Sequence, residues 1–69
     1  MQEQEEQLFE RATNLCREKQ FQEAKPLLEQ LVGMAPANLE ARFNLAKVYF
    51  RLEEFQQSIS TFDELINLE

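Results

Sequence analysis

The chain repeats itself at a fixed interval of 34 residues. Glu6 and Glu40, Phe9 and Phe43, Ala12 and Ala46, Arg17 and Arg51, Phe21 and Phe55, Gln22 and Gln56, and Leu31 and Leu65 are identical at that spacing. Glu29 and Asp63, and Val32 and Ile66, are similar at the same spacing. A period kept over nearly all of a 69-residue chain means two copies of one supersecondary unit, neither large enough to bury its apolar face alone. The competing explanation, an unrelated four-helix bundle, has to produce seven identities at one offset by accident.

Each copy reads as two helices. Leu8, Ala12 and Leu15 recur at four- and three-residue steps, with Phe9 and Cys16 one position round, and predict an amphipathic helix ending near Arg17. Residues 1–4 carry no apolar period and read as a frayed start or a tail. The polar run Glu18-Lys19-Gln20 interrupts the pattern, and Phe21, Ala24, Leu28 and Leu31 restart it, widened by Leu27 and Val32. So short a break makes the two helices antiparallel neighbours. Pro26 removes one backbone hydrogen bond, and a helix beginning near Gln22 confines the damage to a slight bend. Gly33 and Pro36 mark the end of this helix.

Asn38 is placed to cap the third helix. Leu39, Phe43, Ala46 and Phe50 mark one arc of it, and Leu45, Val48, Tyr49 and Leu52 another. After Glu53-Glu54 the pattern restarts as Phe55, Ser58, Ile59, Phe62, Leu65, Ile66 and Leu68. One Gly and two Pro leave little material for strands joined by tight turns, so the fold class is all-α.

Two helix-turn-helix units of this period resemble tetratricopeptide repeats, over about residues 5–38 and 39–69 of a single domain spanning 1–69. Asn44-Leu45-Ala46, then Tyr49, then Phe55 carry the spacing best. The resemblance implies two tandem hairpins, four antiparallel helices in a short right-handed α-solenoid. The small residues Ala12 and Ala24, and Ala46 and Ser58, let the helix axes approach, while Phe21 and Phe55 plug the hairpin ends. Three departures stand out. Lys19 and Glu53 occupy the hairpin turns where the family often has Gly, Leu31 and Leu65 stand where it usually has a small residue, and the second unit lacks the final Pro.

The residues disfavour catalysis. There is no His, Cys16 has no sequence partner as a nucleophile, and one Gly builds no phosphate loop. No metal site, cofactor or catalytic residue is expected. The formal net charge of −6 repels phosphate backbones and anionic lipid, so neither nucleic acid nor membrane is an expected partner. A lone Cys and an N-terminus without the basic start and apolar core of a secretory signal make the cytoplasm the expected location.

The resemblance implies a non-enzymatic scaffold whose first helices line a concave groove for a protein or peptide. Carried onto this chain, the groove residues are Phe9, Thr13, Arg17, Phe43, Asn44, Lys47, Phe50 and Arg51, with Glu6, Cys16 and Glu40 beside them. Phenylalanines flanked by Arg17, Lys47 and Arg51 suit a peptide bearing apolar and acidic side chains. The plainer alternative is that Phe9, Phe43 and Phe50 are core. The subtype that clamps the C-terminal carboxylates of chaperones is disfavoured, because only Asn44 matches its polar set. A stack of this kind ordinarily needs about three units and a polar outer face on its last helix. Here Ile59, Phe62 and Ile66 make that flank apolar, which predicts a covering partner. The cover is a second copy in a homodimer, a neighbouring repeat if the chain is a fragment, or the mark of a purely structural oligomerisation element.

Overall fold

The computed structural model describes residues 2–67, as four helices with no strand among the described residues: α1 (Gln2–Arg17), α2 (Phe21–Met34), α3 (Leu39–Arg51) and α4 (Phe55–Asn67). Met1 and Leu68, the latter read above into the fourth helix, lie outside the described residues. The polar start, read as a frayed start or a tail, is helical from Gln2, and its Glu3 and Glu5 occupy the first turn where the helix dipole favours acids. Arg17 balances the other end of α1. α3 repeats the arrangement with Glu40 and Arg51, and the Asn38 side chain accepts a hydrogen bond from the Ala41 amide at 3.1 Å.

The two hairpin turns are built alike. The Lys19 amide donates to the Cys16 carbonyl at 3.0 Å and the Gln20 amide to the Leu15 carbonyl at 2.8 Å. Thirty-four residues later, Glu53 donates to Phe50 at 3.0 Å and Glu54 to Tyr49 at 2.8 Å. This pairing satisfies the last helical carbonyls and places one residue in the left-handed region, where Lys19 has φ 62° and Glu53 φ 63°. The departure from Gly is therefore met by two side-chain-bearing residues held in a conformation that Gly adopts without strain.

Gly33 has no positive φ and sits inside the last turn of α2, which ends at Met34 before Pro36. α2 runs on through Pro26, and the carbonyl deprived of a partner belongs to the exposed Gln22, where water reaches it.

Consecutive helices pack on one another, α1 on α2, α2 on α3 and α3 on α4, with a slight touch between α1 and α3. Ala12, Ala24, Leu28, Leu45 and Val48 form the buried cluster, flanked by Leu15, Cys16, Phe21, Leu27, Val32, Tyr49 and Leu52. The small-residue pairs do as their size dictates. Ala12 and Ala24 are fully buried in the first hairpin; Ala46 and Ser58 are buried in the second, where the Ser58 hydroxyl donates to the Ala46 carbonyl at 2.9 Å. Thr61 is also buried, its hydroxyl donating to the Gln57 carbonyl at 2.7 Å. It satisfies its own polar group within the helix and so counts as core despite its type.

Polar contacts tie the two hairpins together across the α2–α3 seam. Lys25 Nζ meets the Glu54 carboxylate at 3.0 Å, and the Tyr49 hydroxyl donates to Glu29 Oε2 at 2.7 Å. Within the second hairpin, Arg42 donates to Glu64 Oε1 at 2.8 Å and to the Pro36 carbonyl at 2.9 Å.

Candidate functional site

α1 and α3 run side by side as the first helices of the two hairpins, and the furrow between them is charged differently at its two ends. At the N-terminal end the lining is Glu5, Glu6, Phe9, Asn38 and Glu40. At the C-terminal end an open hollow of about 210 Å³ is lined by Cys16, Arg17, Lys19, Phe21, Asn44, Lys47, Val48 and Arg51. The polarity follows from the helices themselves, since acids gather at helix starts and bases at helix ends. Two parallel helices therefore sum the same preference at the same end.

The cations are the feature that the acidic composition hides. The chain has seven lysines and arginines, and four of them, Arg17, Lys19, Lys47 and Arg51, line this one hollow. Lys25 and Arg42 are engaged with Glu54 and Glu64 elsewhere. None of the four is in an ion pair among the described residues. Arg17 donates only to the Asn14 side chain, at 3.4 Å, and Arg51 lies over the Phe21 ring with 5.9 Å to its centroid.

The residues expected to share the groove divide into three places. Arg17, Asn44, Lys47 and Arg51 come together at the basic end. Phe9 lies half-buried at the acidic end and also, with Thr13, lines the outer side of α1 together with Glu3, Glu10 and Arg17. Phe43 and Phe50 lean the other way, onto α4. Phe43 meets Phe62 edge to face at 5.9 Å, and Phe50 meets Phe55 at 5.4 Å. Both stay open to solvent, at 46% and 58% exposure, so neither is core. Lys47 links the two sides, its ammonium 4.9 Å from the centre of the Phe43 ring.

Lys19 and Phe21 belong to the basic end and were not read from the sequence as part of it. Their signal was the alternation Arg17-Glu18-Lys19, in a turn whose direction only the left-handed residue decides. The Cys16 thiol, half-buried in the same wall, is pushed up by burial from its ordinary value of 9.0, and the Lys47 charge draws it part of the way back. It is a protonated lining group at neutral pH, and not a thiolate.

Beyond Phe43 an apolar hollow of about 430 Å³ opens between α3 and α4, lined by Leu39, Glu40, Phe43, Phe62, Leu65 and Ile66. Ile59 and Ile66 stand on the free flank of α4 at 58% and 70% exposure. No group of His, Cys, Asp and Glu that could hold a metal ion occurs among the described residues, and no described helix is long and apolar enough to cross a membrane.

Two helical hairpins at a 34-residue period, each with small residues buried between its two helices, define a helical repeat protein. The family model for the tetratricopeptide repeat matches residues 15–69, and the chain belongs to that family. Its members are generally protein–protein interaction modules, and their repeats are typically non-enzymatic. No curated protein and no solved structure matches the chain significantly.

Proposed function

We propose that this chain is a non-enzymatic interaction module whose α1–α3 furrow holds an extended or helical segment of another protein, with acidic side chains seated at the basic end. The observation that supports this reading is the gathering of four unpaired cations, Arg17, Lys19, Lys47 and Arg51, in one hollow of a chain with net charge −6. Such a patch, unneutralised by any carboxylate, steers an acidic partner to one end. Asn44 adds a hydrogen-bonding side chain within the patch, and Phe21 an apolar floor. The carboxylates of Glu5, Glu6 and Glu40 at the other end repel a second acidic group and set the direction in which a segment lies. They equally oppose a run of phosphates, which favours protein over nucleic acid. A lone, half-buried thiol suits a reducing compartment, and the cytoplasm is the location this reading assumes.

The test is selection of peptides from a random displayed library on the intact chain, followed by titration against a Lys47→Glu/Arg51→Glu variant. Selected sequences enriched in Asp and Glu, with affinity reduced about tenfold or more in the variant and falling with salt, support the reading. Equal binding by a variant whose circular dichroism matches the parent overturns it.

A further inference from the structure

The two ends of the α1–α3 furrow carry opposite charge, and neither is neutralised from within. Glu5, Glu6 and Glu40 at the N-terminal end are in no ion pair among the described residues, and nor are the four cations at the C-terminal end. Glu6, Glu40, Lys47 and Arg51 are all exposed. Between them, near mid-length of the two helices, stand the uncharged Phe9 and Asn44. The 34-residue repeat sets Glu6 level with Glu40 and Arg17 level with Arg51, so both helices contribute to each end.

An occupant that satisfies both ends at once carries bases at one end and acids at the other, over the same span. The chain's own furrow, turned end for end, meets that description. A twofold axis in the plane of the face, crossing α1 and α3 at mid-length, sets each helix antiparallel to its equivalent in a second copy. Glu6 and Glu40 of each copy then face Lys47 and Arg51 of the other, twice by symmetry, and Phe9 of each copy comes near the axis. An axis parallel to the helices stacks acid on acid and base on base, so charge selects one of the two face-to-face arrangements.

The face is large enough. Packing in chain order, with only a slight touch between α1 and α3, puts α1 and α3 in one layer and α2 and α4 in the other. The Cα atoms span 30 × 28 × 14 Å, and the two layers account for the short dimension, so the furrow lies on a broad side. Such a side is of the size of the ~800 Å² that each partner contributes to a stable interface. The net charge of −6 on each copy opposes association, but charges more than about 8 Å apart are largely screened at physiological salt, whereas the paired ends act at contact.

We propose that the chain forms an antiparallel homodimer through its α1–α3 faces, in which the acidic end of each furrow covers the basic end of the other. Self-association in this form competes with the acidic segment proposed above for the same four cations. It keeps the furrow covered until such a segment displaces the copy.

Sedimentation equilibrium of the intact chain tests this, with a monomer–dimer equilibrium expected. Lys47→Glu/Arg51→Glu and, separately, Glu6→Lys/Glu40→Lys each weaken the dimer about tenfold or more, because each sets like charges against one another at both ends. Mixed in equal amounts, the two variants form a one-to-one heterodimer, in which the reversed residues pair with each other and the unreversed ones pair as in the parent. Circular dichroism checks that these exposed substitutions leave the helices intact. Independently of any variant, dilution of the isotope-labelled parent moves the amide resonances of Glu6, Phe9, Asn44 and Arg51 and leaves those of Ile59 and Ile66. A parent that stays monomeric to about 1 mM overturns the proposal. So do folded variants that dimerise as the parent does, a mixture that yields no heterodimer, and dilution shifts centred on Ile59 and Ile66. Acidic peptides titrated at dilutions where the chain is monomeric read partner binding apart from self-association.

Discussion

Lys25 on α2 reaches across the seam between the two hairpins to Glu54, at 3.0 Å, in the turn that leads into α4. The pair joins one hairpin to the turn of the next, which makes it a clamp between repeats. Both side chains are partly open to solvent, so the contribution is modest, below about 1 kcal/mol. Lys25→Met is expected to lower the urea midpoint by a corresponding amount at low salt, with the difference from the parent shrinking at about 1 M salt.

Tyr49 and Glu29 cross the same seam, and their contact has a pH signature. Burial and the neighbouring Glu29 carboxylate raise the Tyr49 phenol above its ordinary value of 10.0. A group whose neutral form is favoured in the folded state stabilises fully below its unfolded pKa and loses that contribution as pH rises past it. Stability is therefore expected to decline above about pH 10. Tyr49→Phe removes this limb and lowers the plateau at neutral pH by about 1 kcal/mol. Thermal midpoints of both chains between neutral and strongly alkaline pH make the comparison.

Ser58 tests the size rule for the second hairpin. Its hydroxyl donates to a carbonyl of α3, yet Ala24 fills the matching place in the first hairpin with no hydroxyl at all. Ser58→Ala is expected to change stability by about 1 kcal/mol or less. Ser58→Leu forces the α3 and α4 axes apart and costs about 2 kcal/mol or more. Denaturant titration separates the two outcomes.

The hairpin turns offer a gain in stability. Lys19 and Glu53 hold left-handed φ values of 62° and 63° that a Cβ makes unfavourable. Lys19→Gly and Glu53→Gly are each expected to stabilise the chain by about 0.5–1 kcal/mol, after the added freedom of Gly in the unfolded chain is deducted. Calorimetric midpoints higher than the parent's, singly and additively, are the expected readout.

The helices were legible because their signals are local: Asn38 before an apolar period, Pro36 after one, polar pairs at the turns. The pairing of hairpins was legible from the identical spacing of Ala12 and Ala46, which small-residue packing requires. The orientation of Phe43 and Phe50 was not. A helix carries its arcs continuously round the axis, and only the presence of Phe62 and Phe55 on α4 decides which way the rings lean. Thr61 escaped because an apolar pattern has no place for a side chain that satisfies its hydroxyl on its own helix. The basic end was half legible: Arg17 and Arg51 repeat at the period, whereas Lys19 enters through the turn.

The order in which the helices touch has a consequence for how the chain acquires its structure. Each packs chiefly on the one before and the one after it, so the contacts lie near the diagonal of the sequence. A chain with so little distance to close forms its hairpins first and joins them through α2 and α3, on the microsecond-to-millisecond scale of helical proteins. Amide hydrogens in the middle of α2 and α3 are the slowest to exchange, and those of α4, with one helix beside it, open ahead of them.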